Sequence, residues 1–180
     1  MKITTLLLLT SLFGLTQCNL FDWSDDDQQP LVNQLDLLPP PTQEGKFTFG
    51  CLVNDTAWVP RTTVDMTSYY QGGILYIAAE FKGKGREQNI QLVVRDTALS
   101  TNVAYDLATF PNHSAEFFWY YIDKNICTYE PENTLSGTLT LTKFDKFNLI
   151  VSGVFEFTTA KKGCDTIQVT DGRFDMYYVP

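Results

Sequence analysis

The sequence predicts an all-β fold, an antiparallel β-sandwich or barrel of about nine to ten strands, carried by residues 47–180. Three observations predict it. Apolar residues recur with period two through most of this span, the pattern of a half-buried strand. Turn residues separate these runs at short spacing. Aromatics reach 14% of the 180 residues, and rings suit a pleated, half-buried surface. No stretch of helix length carries a 3.6-residue apolar repeat.

The elements follow in order. Phe47, Phe49, Cys51 and Val53 share one face. Asn54-Asp55 can take the left-handed conformations of a tight turn before Trp58. A strand at 73–82 is divided from one at 88–95 by Gly83-Lys84-Gly85, and Ile90, Leu92 and Val94 alternate in the second. In a strand at 137–144, Leu139 and Leu141 alternate with Thr138, Thr140 and Thr142. Asp145-Lys146 joins it to a strand at 147–158, where Phe147, Leu149, Val151, Phe155 and Phe157 alternate with polar residues. Gly153 inside that strand suggests a bulge or a close backbone approach. Asp171-Gly172, between Ile167–Val169 and Phe174–Tyr178, is a strong short-range hairpin signal. The span from residue 47 is long enough for a real core. Closure into a barrel or packing of two sheets stays open at this level.

The first 46 residues read differently. Residues 1–17 open on Met1-Lys2 and continue with an apolar run from Ile3 to Leu15, built around Leu6-Leu7-Leu8-Leu9. That run is too short to span a bilayer and matches the core of a signal peptide. Leu15-Thr16-Gln17-Cys18 resembles the lipobox of bacterial lipoproteins, with Gln17 standing where Gly, Ala or Ser is usual. The resemblance implies that Cys18 is the lipid-modified first residue of the mature chain, anchored stably by more than one acyl chain. Residues 18–46 read as a disordered tether, acidic at Asp22, Asp25, Asp26 and Asp27, and carrying Pro30, Pro39, Pro40 and Pro41. Ser24 to Asp27 is either solvated charge or, by resemblance, the acidic segment that sends lipoproteins of Bacteroidota to the cell surface. The expected location is the outer membrane, and the expected first partner is the membrane, reached through the lipid.

The formal charge is -8, so the chain lacks the basic footprint that nucleic acid requires. Residues 47–180 hold 15 acids and 11 bases, and the rest of the excess lies upstream. His113 is the single histidine, which excludes zinc motifs built on two histidines. His113 itself reads as an ordinary exposed loop side chain. No P-loop, EF-hand loop, GxSxG elbow or CxxC pair occurs. The carboxylates form no recognisable catalytic pair, and a glycosidase needs two at a set separation. No catalytic residue, metal or cofactor is therefore expected.

With Cys18 lipidated, Cys51, Cys127 and Cys164 remain. An oxidising compartment permits one bridge and three pairings. Cys51 sits on an inward-facing strand pattern and reads as a buried thiol. Cys127 and Cys164 lie near strand ends, where a bridge is easier to accommodate, and form the favoured pair.

The run Phe117-Phe118-Trp119-Tyr120-Tyr121 puts aromatics on both faces of one strand. Either both faces are buried, or one is a binding platform. Phe118, Trp119 and Tyr120 are the platform candidates, which Tyr69-Tyr70 and Tyr177-Tyr178 could extend. Such a surface suits sugars and other CH-rich ligands.

Three segments resemble a family of uncharacterised Bacteroidota lipoproteins: Thr48 to Asn54 with Trp58, Gly137 to Phe157, and Thr170 to Asp175. The resemblance implies a secreted, anchored β domain and no activity. The expected function is a non-catalytic structural or binding module at the membrane. The alternative is a binder of a glycan or small apolar ligand, and an envelope protein is a further possible partner.

Overall fold

Alternation along the chain becomes two antiparallel sheets. The computed structural model describes residues 32–83, 86–121 and 126–180. Among them are eleven strands: β1 (Thr48–Val53), β2 (Thr56–Trp58), β3 (Met66–Gln71), β4 (Ile74–Gly83), β5 (Arg86–Arg95), β6 (Ala104–Asp106), β7 (His113–Tyr121), β8 (Cys127–Tyr129), β9 (Thr134–Asp145), β10 (Ile150–Thr159) and β11 (Ile167–Tyr177). Six form one sheet in the order β2-β1-β11-β10-β9-β6, and five form the other in the order β3-β4-β5-β7-β8. The two sheets are separate, so the fold is a sandwich and not a closed barrel. The count exceeds the expected nine to ten because β2, β6 and β8 are three-residue edge strands, too short to show a period.

The core lies between the sheets. From the six-stranded sheet come Phe49, Cys51, Leu139, Leu141, Val151, Phe155, Phe157, Phe174 and Met176. Leu75, Ile77, Ile90, Leu92, Ala115 and Phe117 face them from the other sheet. Buried hydrogen bonds cross the layers from Trp58 Nε1 to Gln88 Oε1 (3.0 Å) and from Thr134 Oγ1 to Ala115 O (2.9 Å). Asn54 and Asp55 both have positive φ and close the β1–β2 turn as expected.

Two turn expectations change. Asp171-Gly172 is not a hairpin turn. β11 runs through it, paired with β1 on one side and β10 on the other, and the register of both ladders slips there. Two flanking strands hold the segment extended, so the dipeptide forms a bulge instead. Asp171 takes φ 52°, the left-handed first position of such a bulge. Gly172 is needed because a Cβ there would lie 2.5 Å from Phe155 O. The second change is at 147–149. Phe147 is 92% exposed and belongs to a turn, with the Asp145 carboxylate accepting from Phe147 N (3.0 Å) and Asn148 N (2.9 Å). β10 begins only at Ile150.

The domain also begins earlier than expected. Val32–Pro180 is one folded unit, so residues 32–46 are not tether. They form a strap over the outer face of the six-stranded sheet. Asn33 caps a single 3-10 turn, Gln34–Leu37. Gln34 Oε1 accepts from Ala57 N beside it (3.0 Å). Leu38 is buried, and the Pro39 ring fills the space that a Cβ on Gly50 would take (2.6 Å). Gly45 crosses over the Tyr177 ring, which lies 2.7 Å from where its Cβ would stand.

Asp175 locks this strap. Its carboxylate accepts from Thr42 Oγ1 (2.6 Å), Glu44 N (2.9 Å), Gly45 N (2.8 Å), Lys46 N (3.1 Å) and, in the sheet, Ser152 Oγ (2.8 Å). Burial alone would raise its pKa, but these hydrogen bonds outweigh burial and hold it at about 2. Pro39, Pro40 and Pro41, which read as part of the tether, serve here as a rigid cover, because proline gives up no donor and little entropy on docking. Cys18, the apolar leader and the acidic run lie outside the described residues.

Candidate functional site

Among the described residues nothing covers the outer face of the five-stranded sheet, and that face gathers aromatic and amide side chains. Leu75, Ile77, Ile90, Leu92, Ala115 and Phe117 point into the core, so their neighbours in sequence point out. Register then sets the outward rows. Tyr69 of β3 stands opposite Tyr76 of β4. Gln91 of β5 stands opposite Glu116 of β7. Asn89 of β5, Phe118 of β7 and Thr128 of β8 form a third row.

Tyr69 and Tyr76 stack with ring centres 4.9 Å apart and planes 15° apart. Farther along the face is a hollow of about 170 Å³, walled by Asn89, Gln91, Glu116, Phe118 and Thr128, with Phe117 and Tyr129 beneath. Phe118 is 36% exposed. Asn89 Oδ1 is shielded from solvent and accepts no hydrogen bond among the described residues, a cost unless a donor arrives. Burial, together with the charges of Glu130 and Glu132, pushes the Glu116 carboxyl up, with Arg95 opposing. Burial also raises the Tyr76 phenol, helped by Tyr69 and Glu116. The face thus offers ring surfaces beside amide, hydroxyl and carboxyl groups, all carried on paired strands that hold them in place.

The predicted platform residues divide. Phe118 lies on this face as expected. Trp119 does not, because adjacent strand residues point to opposite sides. It turns inward, edge-on to Phe117 (6.2 Å, 80°), and packs against the core. Tyr120 pairs with Glu87 through the backbone, and its side chain lies outside the described residues. Tyr69 joins the face, but Tyr70 turns inward against Phe144 (5.2 Å) and donates to Asp96 O (3.0 Å). Tyr177 belongs to the other sheet, beneath the strap, and Tyr178 is buried. The signal missed was Tyr76, Asn89, Gln91 and Glu116. Each looks like an ordinary solvated strand position, and only the strand order makes them neighbours.

The remaining candidates are also placed. His113 opens β7 rather than sitting in a loop, and it is half-buried. Its Nδ1 accepts from Arg95 N (3.3 Å), and its ring meets Tyr105 edge-on (5.3 Å). Cys127 and Cys164 form a disulfide with Cα atoms 6.0 Å apart, tying β8 to the β10–β11 connection. Cys51 is a buried free thiol whose pKa burial pushes up. Among the described residues, no group of three or more His, Cys, Asp or Glu side chains could hold a metal ion, and no helix is long and apolar enough to cross a membrane. Comparison with protein-family models, curated proteins and solved structures finds no match to this chain.

Proposed function

We propose that this chain is an envelope lipoprotein, anchored through Cys18, whose sandwich is a non-catalytic module that binds a glycan on the open face of the five-stranded sheet. One observation carries the reading. Stacked Tyr69 and Tyr76 share that face with a hollow where Asn89, Gln91 and Glu116 stand beside the Phe118 ring. A sugar ring has CH-rich faces that pack on aromatics, and hydroxyls that both donate and accept. The Glu116 carboxyl accepts from hydroxyl groups, which adds to the match.

Anchoring sets the range of the module. Fourteen residue steps separate Cys18 from Val32, so the extended chain reaches about 50 Å at most. The strap takes up the remaining residues before β1, and the module works close to the membrane.

Glycan-array binding by the full chain tests the reading, with Gln91→Ala and Phe118→Ala as controls. Binding that falls about tenfold in each variant supports it. Binding that is absent, or unchanged in both variants, refutes it. Cys18→Ala should move the protein out of the membrane fraction, and continued pelleting would remove the anchor from the proposal.

A further inference from the structure

A second groove lies on the opposite sheet, against the strap. Its volume is about 440 Å³, and Pro41, Thr138, Val154, Phe155, Glu156, Asp171, Gly172 and Arg173 line it. This volume falls in the range of small-molecule sites. The floor is aliphatic, with Val154 42% exposed although it sits mid-strand in a ten-residue β10. One wall is Pro41 of the strap, which four hydrogen bonds to Asp175 hold in place.

The rim carries both signs of charge. Glu156 faces outward opposite Thr138, and Arg173 stands opposite Val154. Between them the bulge turns Asp171 out of the regular alternation in a left-handed conformation. Bulges re-aim side chains in this way, and a non-glycine residue held there is strained. Arg173 Nε donates to Asp171 O (3.2 Å), which steadies the arginine. None of Glu156, Asp171 and Arg173 takes part in an ion pair among the described residues. Two carboxylates and one guanidinium therefore stand around an aliphatic floor with their charges unmatched.

We infer that this groove binds a short peptide with a free carboxylate and one or two ammonium groups. The carboxylate would meet Arg173, whose planar fork suits it. The ammonium groups would meet Glu156 and Asp171, and a short aliphatic stem would cover Val154 and Pro41. A plain hydrocarbon would leave all three charges unanswered, and a nucleotide would meet two carboxylates for one arginine. This inference is independent of the glycan reading, because the two sites lie on different sheets.

The test titrates isotope-labelled full chain in detergent with the tripeptide Ala-Lys-Ala, free at both ends, followed by amide NMR. The expected result is saturable shifts centred on Thr138, Val154, Glu156 and Arg173. Amidating the peptide carboxyl should weaken binding about tenfold in the native chain and not in Arg173→Gln. Replacing the lysine by norleucine should weaken it similarly, and less so in Glu156→Gln or Asp171→Asn. Phe118→Ala, on the other face, should leave this titration unchanged even where it abolishes glycan binding. The inference is overturned if no saturable shift appears at millimolar peptide. It is equally overturned if neither modification of the peptide changes its affinity for the native chain.

Discussion

The two outer faces of the sandwich bury their strands by opposite means. The six-stranded sheet is covered over part of its face by the strap, so β1 is buried on both sides. A buried carboxylate, Asp175, holds that cover. The five-stranded sheet has no such cover among the described residues, and its outer positions are aromatic and amide side chains. Its edge is tied instead by the Cys127–Cys164 bridge. The difference teaches where function can sit. A face held by its own chain is committed to stability, and the groove beside the strap is what it leaves for a ligand. A face left open must satisfy its polar groups with water or with a ligand.

Breaking the lock should have the largest effect. Asp175→Ala leaves two hydroxyls and three backbone N–H groups without their acceptor, which should cost about 3–5 kcal/mol. Urea unfolding measures the loss, and limited proteolysis should cut within 39–46. A change below about 1 kcal/mol would mean that the strap is held by its apolar contacts alone.

Next comes the tie on the open sheet. Changing Cys127 and Cys164 together to serine opens a link spanning 37 residues, with an expected loss of about 2–4 kcal/mol. Proteolysis should then begin near β8 and leave the strap intact. Cutting at the strap first would show that the two faces are not stabilised separately.

Acid should act on the strapped face before the open one. The folded pKa of Asp175, about 2, is below the unfolded value of about 3.9. A lowered carboxylate pKa stabilises the fold above the unfolded pKa, and that contribution is lost as pH falls through the folded one. About 2–3 kcal/mol should therefore disappear between roughly pH 4 and pH 2. In Asp175→Asn this segment of the pH–stability curve should be flat, and an unchanged slope would assign the titration to other carboxylates.

The smallest effect on stability belongs to the open face. Gln91→Ala and Phe118→Ala should change stability by about 0.5 kcal/mol or less, because both side chains stand outside the core. A larger thermal shift in either variant would make that face structural and weaken the case for a binding surface.

Much of this was legible residue by residue. The alternation of Phe49, Cys51 and Val53, and that of Leu139 with Leu141, identified the inward faces correctly. Near neighbours along a strand impose that pattern, so a sequence displays it directly. Asp171-Gly172 misled because its propensity for a turn is real, yet strands on both sides override it. Pro39–Pro41 misled for a related reason. Composition describes what a segment does alone, and the strap is ordered by Asp175, more than a hundred residues away.

The sequence by itself determined the all-β class, the inward faces of β1, β5 and β9, and the Asn54-Asp55 turn. All of these follow from local periodicity or from a few side chains. Only the tertiary structure decided between sandwich and barrel, separated Phe118 from Trp119, and set Tyr76, Asn89, Gln91 and Glu116 on one surface. It alone brought Pro41 beside Glu156, Asp171 and Arg173. Those outcomes depend on which strands pair and in what register. Pairing is chosen by the summed burial of the whole core, and no short window of sequence contains that sum.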